Sequence, residues 1–363
     1  MGVIAPNLAY HYWSLGIKPA GKTAPEQPLI MIPGTEFKPE KEIEHEEDKG
    51  HTGGSSLTMG MYRKKAASSP GYEDKARYQQ GWEDYWYLLF GHVTGPDPAI
   101  AGATKAKKYV FAVDVVNPSD PPLCTLYNGY AKTANDAYVY DNCMLNELEV
   151  KFKNDEPMSI APKFVSDYPQ FKQPNPARVV PTKKVKIEAG QTILYYAPVG
   201  VTLTEANKSQ YAFPCVIEGN VKVNNNAESE PCGGDDFGTE TKNMGIRESE
   251  GGFTIPWTEQ TKWVQTEYES GTTDGTKVSP EPLRKQILIE SIGPQIETVS
   301  ETDVFHKTAI LIPDVTITKC DSPQSGDERK SIETEFKIND ESLASFMTVE
   351  VISELANLHI GTV

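Results

Sequence analysis

Apolar residues that alternate with polar ones over short runs, each run closed by glycine, proline or asparagine, leave a chain few choices beyond a mainly β fold. The clearest case lies between Phe213 and Val264. Val221 and Val223 alternate with Asn220, Lys222 and Asn224, the period of a half-buried strand. Asn224, Asn225 and Asn226 then stop it, because Asn side chains compete with the ladder and tolerate left-handed turns. A polar loop from Ala227 to Ser249 carries Gly233, Gly234 and Gly238. Gly251-Gly252 leads into a second strand over 253–257, and a third is expected over 262–268. The chain of 363 residues spreads 27 prolines and 28 glycines along its length, which favours many short strands over long helices.

The same reading expects strands over 10–15, 29–32, 109–116, 140–152, 185–187, 192–196 and 286–290, and a pair formed by 309–320 and 332–341. Leu148, Val150 and Phe152 face one way there, and Glu147, Glu149 and Lys151 the other. One helix is expected over 71–91, preceded by Pro70 and ended by Gly91. Its apolar face is Tyr78, Trp82, Tyr85, Trp86 and Leu89, with Lys75, Arg77, Glu83 and Asp84 on the other faces. Polar residues 34–69, proline-rich 153–190 and residues 271–282 read as loops. The run from Glu335 to Glu341 echoes Lys151 to Glu156. This echo allows two sandwiches in tandem, over 1–185 and 186–363.

Chemistry is sparse. Gly16 to Thr23 fits the phosphate-loop spacing, but Pro28 falls inside the helix that would have to come next, so a basic turn is the better reading. His45 and His51 stand among Glu44, Glu46, Glu47 and Asp48; a metal centre needs fixed spacing on rigid elements, which a charged loop lacks. No G-x-S-x-G or H-E-x-x-H occurs, so no enzyme is expected. The five cysteines, Cys124, Cys143, Cys215, Cys232 and Cys320, are widely spaced and read as free thiols of a reducing compartment, with a Cys215–Cys232 bridge as the alternative. The formal net charge of −16 repels nucleic-acid phosphates. Neither a membrane span nor, over Met1 to Tyr12, a secretory signal is expected.

The order of a strand around Val221 and Val223, an asparagine stop, a long glycine-bearing loop and a returning strand resembles the tail tube (major tail) proteins of long-tailed bacteriophages, the siphoviruses. The Cys143-bearing strand that runs into the alternating stretch over 147–152 is similar to that family too, as is a helix flanking the sheet. The resemblance implies a mainly β, tail-tube-like sandwich, or two in tandem, with a flanking α-helix and long loops. It implies a structural virion protein, without cofactor, that forms stacked rings of six chains or of three tandem-domain chains. Arms that order on the next ring would include Glu36, Glu44, His45, Glu46, Asp48, His51, Asn224, Asn225, Asn226, Asp235 and Asp236. Implied partners are further copies of the chain, a tape measure protein, a tail terminator and a baseplate or distal tail protein. Genome DNA would pass through the lumen without specific binding. The resemblance also implies assembly in the host cytoplasm and residence in the virion tail. The alternatives are a carbohydrate-binding or carbohydrate-active sandwich, whose aromatics would line a cleft, and a capsid decoration protein.

Overall fold

The computed structural model describes residues 11–17, 30–32, 36–48, 60–75, 82–113, 121–130, 137–167, 170–173, 186–230, 241–243, 247–271, 281–321, 331–339 and 346–354. The fold is mainly β with two helices among these residues. The strands are β1 His11–Ile17, β2 Ile30–Ile32, β3 Glu36–Asp48, β4 Gly60–Lys75, β5 Val93–Pro98, β6 Lys107–Ala112, β7 Cys124–Tyr130, β8 Ala137–Lys153, β9 Glu156–Val165 and β10 Gln170–Gln173. They continue with β11 Thr192–Pro198, β12 Glu218–Asn224, β13 Glu228–Glu230, β14 Thr241–Asn243, β15 Glu248–Pro256, β16 Arg284–Val299, β17 Thr302–Asp321, β18 Ser331–Ile338 and β19 Thr348–Ser353. The helices are α1 Trp82–Phe90 and α2 Trp263–Ser270.

One long antiparallel run goes β3-β4-β9-β8-β12-β15-β18-β17-β16-β11. Two of its strands change partners part-way. The first half of β8 pairs with β7 and β10, and its second half with β9 and β12. The changeover is a bulge in which Asn142 takes a left-handed φ of 47°; a bulge bends its strand and re-aims the residues beyond it. Thr125 Oγ1 donates to Asp141 Oδ1 at 2.8 Å and Asn142 Nδ2 to Asp167 Oδ2 at 2.7 Å, which fixes the bulge. The first half of β17 pairs with β19, which continues to β6 and β5, and its second half pairs with β18. Pro313 stands between the last β19 partner, Leu311, and the first β18 partner, Val315. Neither ladder needs its missing N–H there.

Ladders β8–β12 and β6–β19 both join residues on either side of the 185/186 division. The main core cluster likewise takes Trp86, Phe111 and Phe164 from one side and Ile289, Ile312 and Phe336 from the other.

The echoed sequence has a packing cause. Phe152 lies opposite Gly219 across β8–β12, and Phe336 opposite Gly251 across β15–β18. Each ring lies over a glycine that has no Cβ to obstruct it. A Cβ on Gly251 would stand 2.5 Å from both the Asn220 carbonyl oxygen and the Phe336 ring. Backbone cannot give way as a flexible side chain can, so Gly251→Ala is expected to destabilise by about 2–3 kcal/mol in urea unfolding.

Several expectations are corrected. Of residues 34–69, expected as a loop, 36–48 and 60–69 are strand: β3 and the start of β4 pair as a hairpin from Glu36↔Glu73 to Asp48↔Gly60, and 34–35 and 49–59 lie outside the described residues. The helix expected over 71–91 spans only Trp82–Phe90, and 71–75 belong to β4. Of the expected aromatic stripe, Tyr85, Trp86 and Leu89 are buried and Tyr78 lies outside the described residues, but Glu83 and Asp84 are buried too, because α1 packs on β6 and β8 with Phe90 against Phe346. Their carboxylates add to burial in raising the pKa of Tyr109. Residues 263–270 are α2, not a strand; Trp263, Val264, Glu267 and Tyr268 share a helical face, and Gly271 caps it at φ 75°. Within 153–190, β9 contains Pro157 and Pro162, and the β4–β9 ladder is interrupted opposite Pro162. Part of 227–249 is a two-stranded ribbon, β13 with β14. The phosphate-loop turn beyond Ile17 lies outside the described residues.

Candidate functional site

Two surfaces stand out, and neither resembles a catalytic centre. The first is the β3–β4 hairpin. Its base is tied to the sheet by Gly71↔Lys163, Asp74↔Ile160, Lys75↔Ser159 and a Ser68↔Ser166 bridge. Beyond Ser68, towards Gly60, β4 pairs only with β3 among the described residues. β3 is thus an edge strand, and its sequence from Glu36 to Asp48 carries charges throughout. Such charge suits an exposed edge, because it opposes indiscriminate strand addition. Glu36, Glu44, His45, Glu46 and Asp48 all sit on this strand. His51, Asp235 and Asp236 lie outside the described residues.

The second surface is the outer face of β9, β8, β12, β15 and β18. Strand alternation buries Ile332, Thr334 and Phe336 and leaves Glu333, Glu335 and Lys337 in water. Across the strands, Ser159, Lys151, Asn220, Gly252 and Glu335 form one row, and Ala161, Glu149, Lys222, Glu250 and Lys337 the next. The result is a shallow trough of about 580 Å³, notched at Gly252 and floored by alternating charges. Lys151 meets Glu149 at 3.0 Å, and Lys163 and Lys222 meet Glu147 at 2.7 and 3.0 Å. Burial pushes the Glu147 carboxyl up, but hydrogen bonds from both lysines outweigh it and hold its pKa low. Phe152, Phe253 and Phe336 also border the trough, but the alternating charges and ion pairs dominate the outward rows, the composition of a wall in contact with water rather than of a tight interface.

The asparagine stop has a different use from the one expected. Asn225 is fully buried. Its Nδ2 donates to the Leu145 carbonyl at 3.0 Å, and its Oδ1 accepts from Arg247 Nε at 2.8 Å. The Arg247 guanidinium lies 5.3 Å from the Phe346 ring centroid and 6.0 Å from that of Phe90. Asn225 therefore ties the β12 corner to β8 and, through Arg247, to the end of α1. Asn224 is half-buried, its Oδ1 accepting from the Asn226 amide at 2.9 Å, and Asn226 takes a φ of 48°.

A scan against known protein families finds no match, and no curated protein sequence matches the chain. Among the described residues no group of three or more His, Cys, Asp or Glu could hold a metal ion.

A buried charge cluster escapes any reading of the sequence. Glu290 of β16 is 1% exposed. It accepts from Lys208 at 2.6 Å, Lys307 at 2.9 Å and the Tyr195 hydroxyl at 3.0 Å. Burial pushes its carboxyl up, and the two lysines outweigh that and lower it. Its sequence signal is a single charge in the apolar run 287–292. Elsewhere, Glu297 accepts from the amides of Thr104, Lys105 and Ala106 and so pins that loop to β16.

These shifts set a pH profile. Glu147, Glu290 and Glu297 lie below their ordinary 4.5, and Asp314 below 3.8. Their stabilisation is complete above those values and is lost as pH falls through the lower folded-state ones. Lys208, Lys222 and Lys307 lie above 10.5; their contribution is complete below it and is lost as pH rises through the folded values. Burial raises the Cys320 thiol from its ordinary 9.0 to about 11, so urea midpoints are expected to be flat from about pH 5 to 9 and to fall on either side. A midpoint dropping steadily between about pH 7 and 5 would contradict these assignments.

Proposed function

We propose that this protein is a tail tube subunit of a long-tailed bacteriophage, a structural virion component that assembles into stacked rings around a DNA-conducting lumen. The observation that carries this reading is the β3–β4 hairpin, a long, self-paired, charged arm standing off the edge of a broad antiparallel sheet. Such an arm reaches beyond its own subunit and orders on a neighbour. The mainly β fold, the helix against the sheet and the net charge of −16 support it. A wall of ion pairs with excess negative charge gives phosphates nothing to hold. Partners under this reading are further copies of the chain, the tape measure protein, the tail terminator and the baseplate or distal tail protein.

Negative-stain electron microscopy of the concentrated protein beside size-exclusion chromatography tests it. Rings or hollow tubes with a bore of DNA width are the expected result, and the ring's symmetry chooses between six chains and three. Particles that stay monomeric at all concentrations, with and without purified tail initiator, overturn it.

One observation favours a second reading, a carbohydrate-binding sandwich. A hollow of about 320 Å³ beside α2 is lined by Tyr196, Tyr211, Phe213 and Trp263 with the amides of Gln210 and Gln260. Binding on a glycan array by a strictly monomeric protein would favour it.

A further inference from the structure

Nothing in their spacing links Cys124 to Cys143, but the fold places them together. They are direct cross-strand partners in the β7–β8 ladder. Both are fully buried, and both are thiols in this structure. Directly opposed residues of an antiparallel pair project to the same face. Their Cα atoms stand about 4.5–5.5 Å apart, inside the span of about 4.4–6.8 Å that a disulfide bridges. The bulge at Asp141 and Asn142 creates this pairing. It shifts register between Cys124 and Leu126 and turns Cys143 to face β7. Side chains hold it there: Thr125 and the Asn142 amide both donate to Asp141 Oδ1, at 2.8 and 3.1 Å. The Cys143 thiol donates to the Tyr140 carbonyl at 3.2 Å.

We propose that Cys124 and Cys143 are a covalent modification site, forming a cross-strand disulfide when the protein meets a small peroxide oxidant. The first thiol attacks hydrogen peroxide, giving a sulfenic acid and releasing water. The second cysteine's sulfur then attacks that sulfur: the S–S bond forms as the S–O bond breaks, and the hydroxyl leaves as water with the second thiol's hydrogen. The peroxide is reduced and the thiol pair oxidised by two electrons. The bond closes a covalent ring over 124–143 and ties β7, with β1 paired on its far side, to the long strand β8. Cys320 is excluded as a partner by its place on β17, where Thr334 donates to its sulfur at 3.9 Å. Cys215 is exposed and far along the chain. The inference does not depend on the tube reading, and its readout is independent of assembly.

The test is peroxide treatment of the folded protein, or refolding from urea with dilute peroxide, followed by unfolding, alkylation and peptide mass mapping. The expected product is one linked peptide pair containing Cys124 and Cys143, two hydrogens lighter than the reduced pair and released by dithiothreitol. The denaturation midpoint is expected to rise by about 5 °C. Cys143→Ser should abolish both effects, and Cys215→Ser neither. Alkylation of both cysteines after either oxidation protocol, or linkage of either one to another cysteine, overturns the proposal.

Discussion

Replacing residues 42–67 with a two-residue Asn-Gly turn is expected to leave a folded subunit that forms no tubes. Lys41 and Ser68 are register partners, so the turn closes the ladder where the sheet still supports it. Ser68 keeps its bridge to Ser166, and Gly71, Asp74 and Lys75 keep their pairing with β9. The removed strand segments bond only to each other among the described residues, so little of the core's support goes with them. Circular dichroism should be unchanged, and the melting midpoint should move by less than about 2 °C, the shift that about 1 kcal/mol produces in a chain of this size. Assembly, scored by sedimentation and electron microscopy, should fall below detection. Tubes of ordinary length from this variant would remove the hairpin from any role in assembly.

The largest stability effect is expected at Glu290. Its carboxylate is 1% exposed and neutralises two ammonium groups. Glu290→Ala leaves both lysines facing each other across a half-buried space. Removing one partner of a buried ion pair typically costs about 3–5 kcal/mol. Lys208 and Lys307 keep side-chain exposures of 12% and 22%, so water relieves part of the charge and about 3 kcal/mol is the expected loss in urea unfolding. Replacing Lys208, Glu290 and Lys307 together with Met should recover most of it, because an apolar substitute leaves no unpaired charge. If the triple variant is weaker than Glu290→Ala, the cluster is not an isolated charge unit.

Strands with one buried face are legible in the sequence. Val221 and Val223 alternate because one side of β12 is core, and the second half of the run 309–320 pairs with β18 as expected, while 309–311 pair with β19 instead. The β3 strand is not legible. Its sequence from Glu36 to Asp48 lacks the alternation that marks a strand, and its charges read as a loop. Residues 263–270 mislead for the opposite reason: Trp263, Val264 and Tyr268 suit either period over so short a run, and only Gly271 marks a helix end. The interior role of Asn225 cannot be read locally. Its partners Leu145 and Arg247 lie 80 and 22 residues away. Glu290 is hidden likewise, since both of its lysines are contributed by other elements.

The two strands that change partners make the molecule a single mechanical piece. A load applied to β7 passes along β8 into β12, and one applied to β19 passes along β17 into β18. Neither group of strands can peel away without breaking a strand that the other also uses, so unfolding should proceed as one cooperative event. A chain cut at 185 would part β8 from β12 and β6 from β19, and two such halves should recover structure only when mixed.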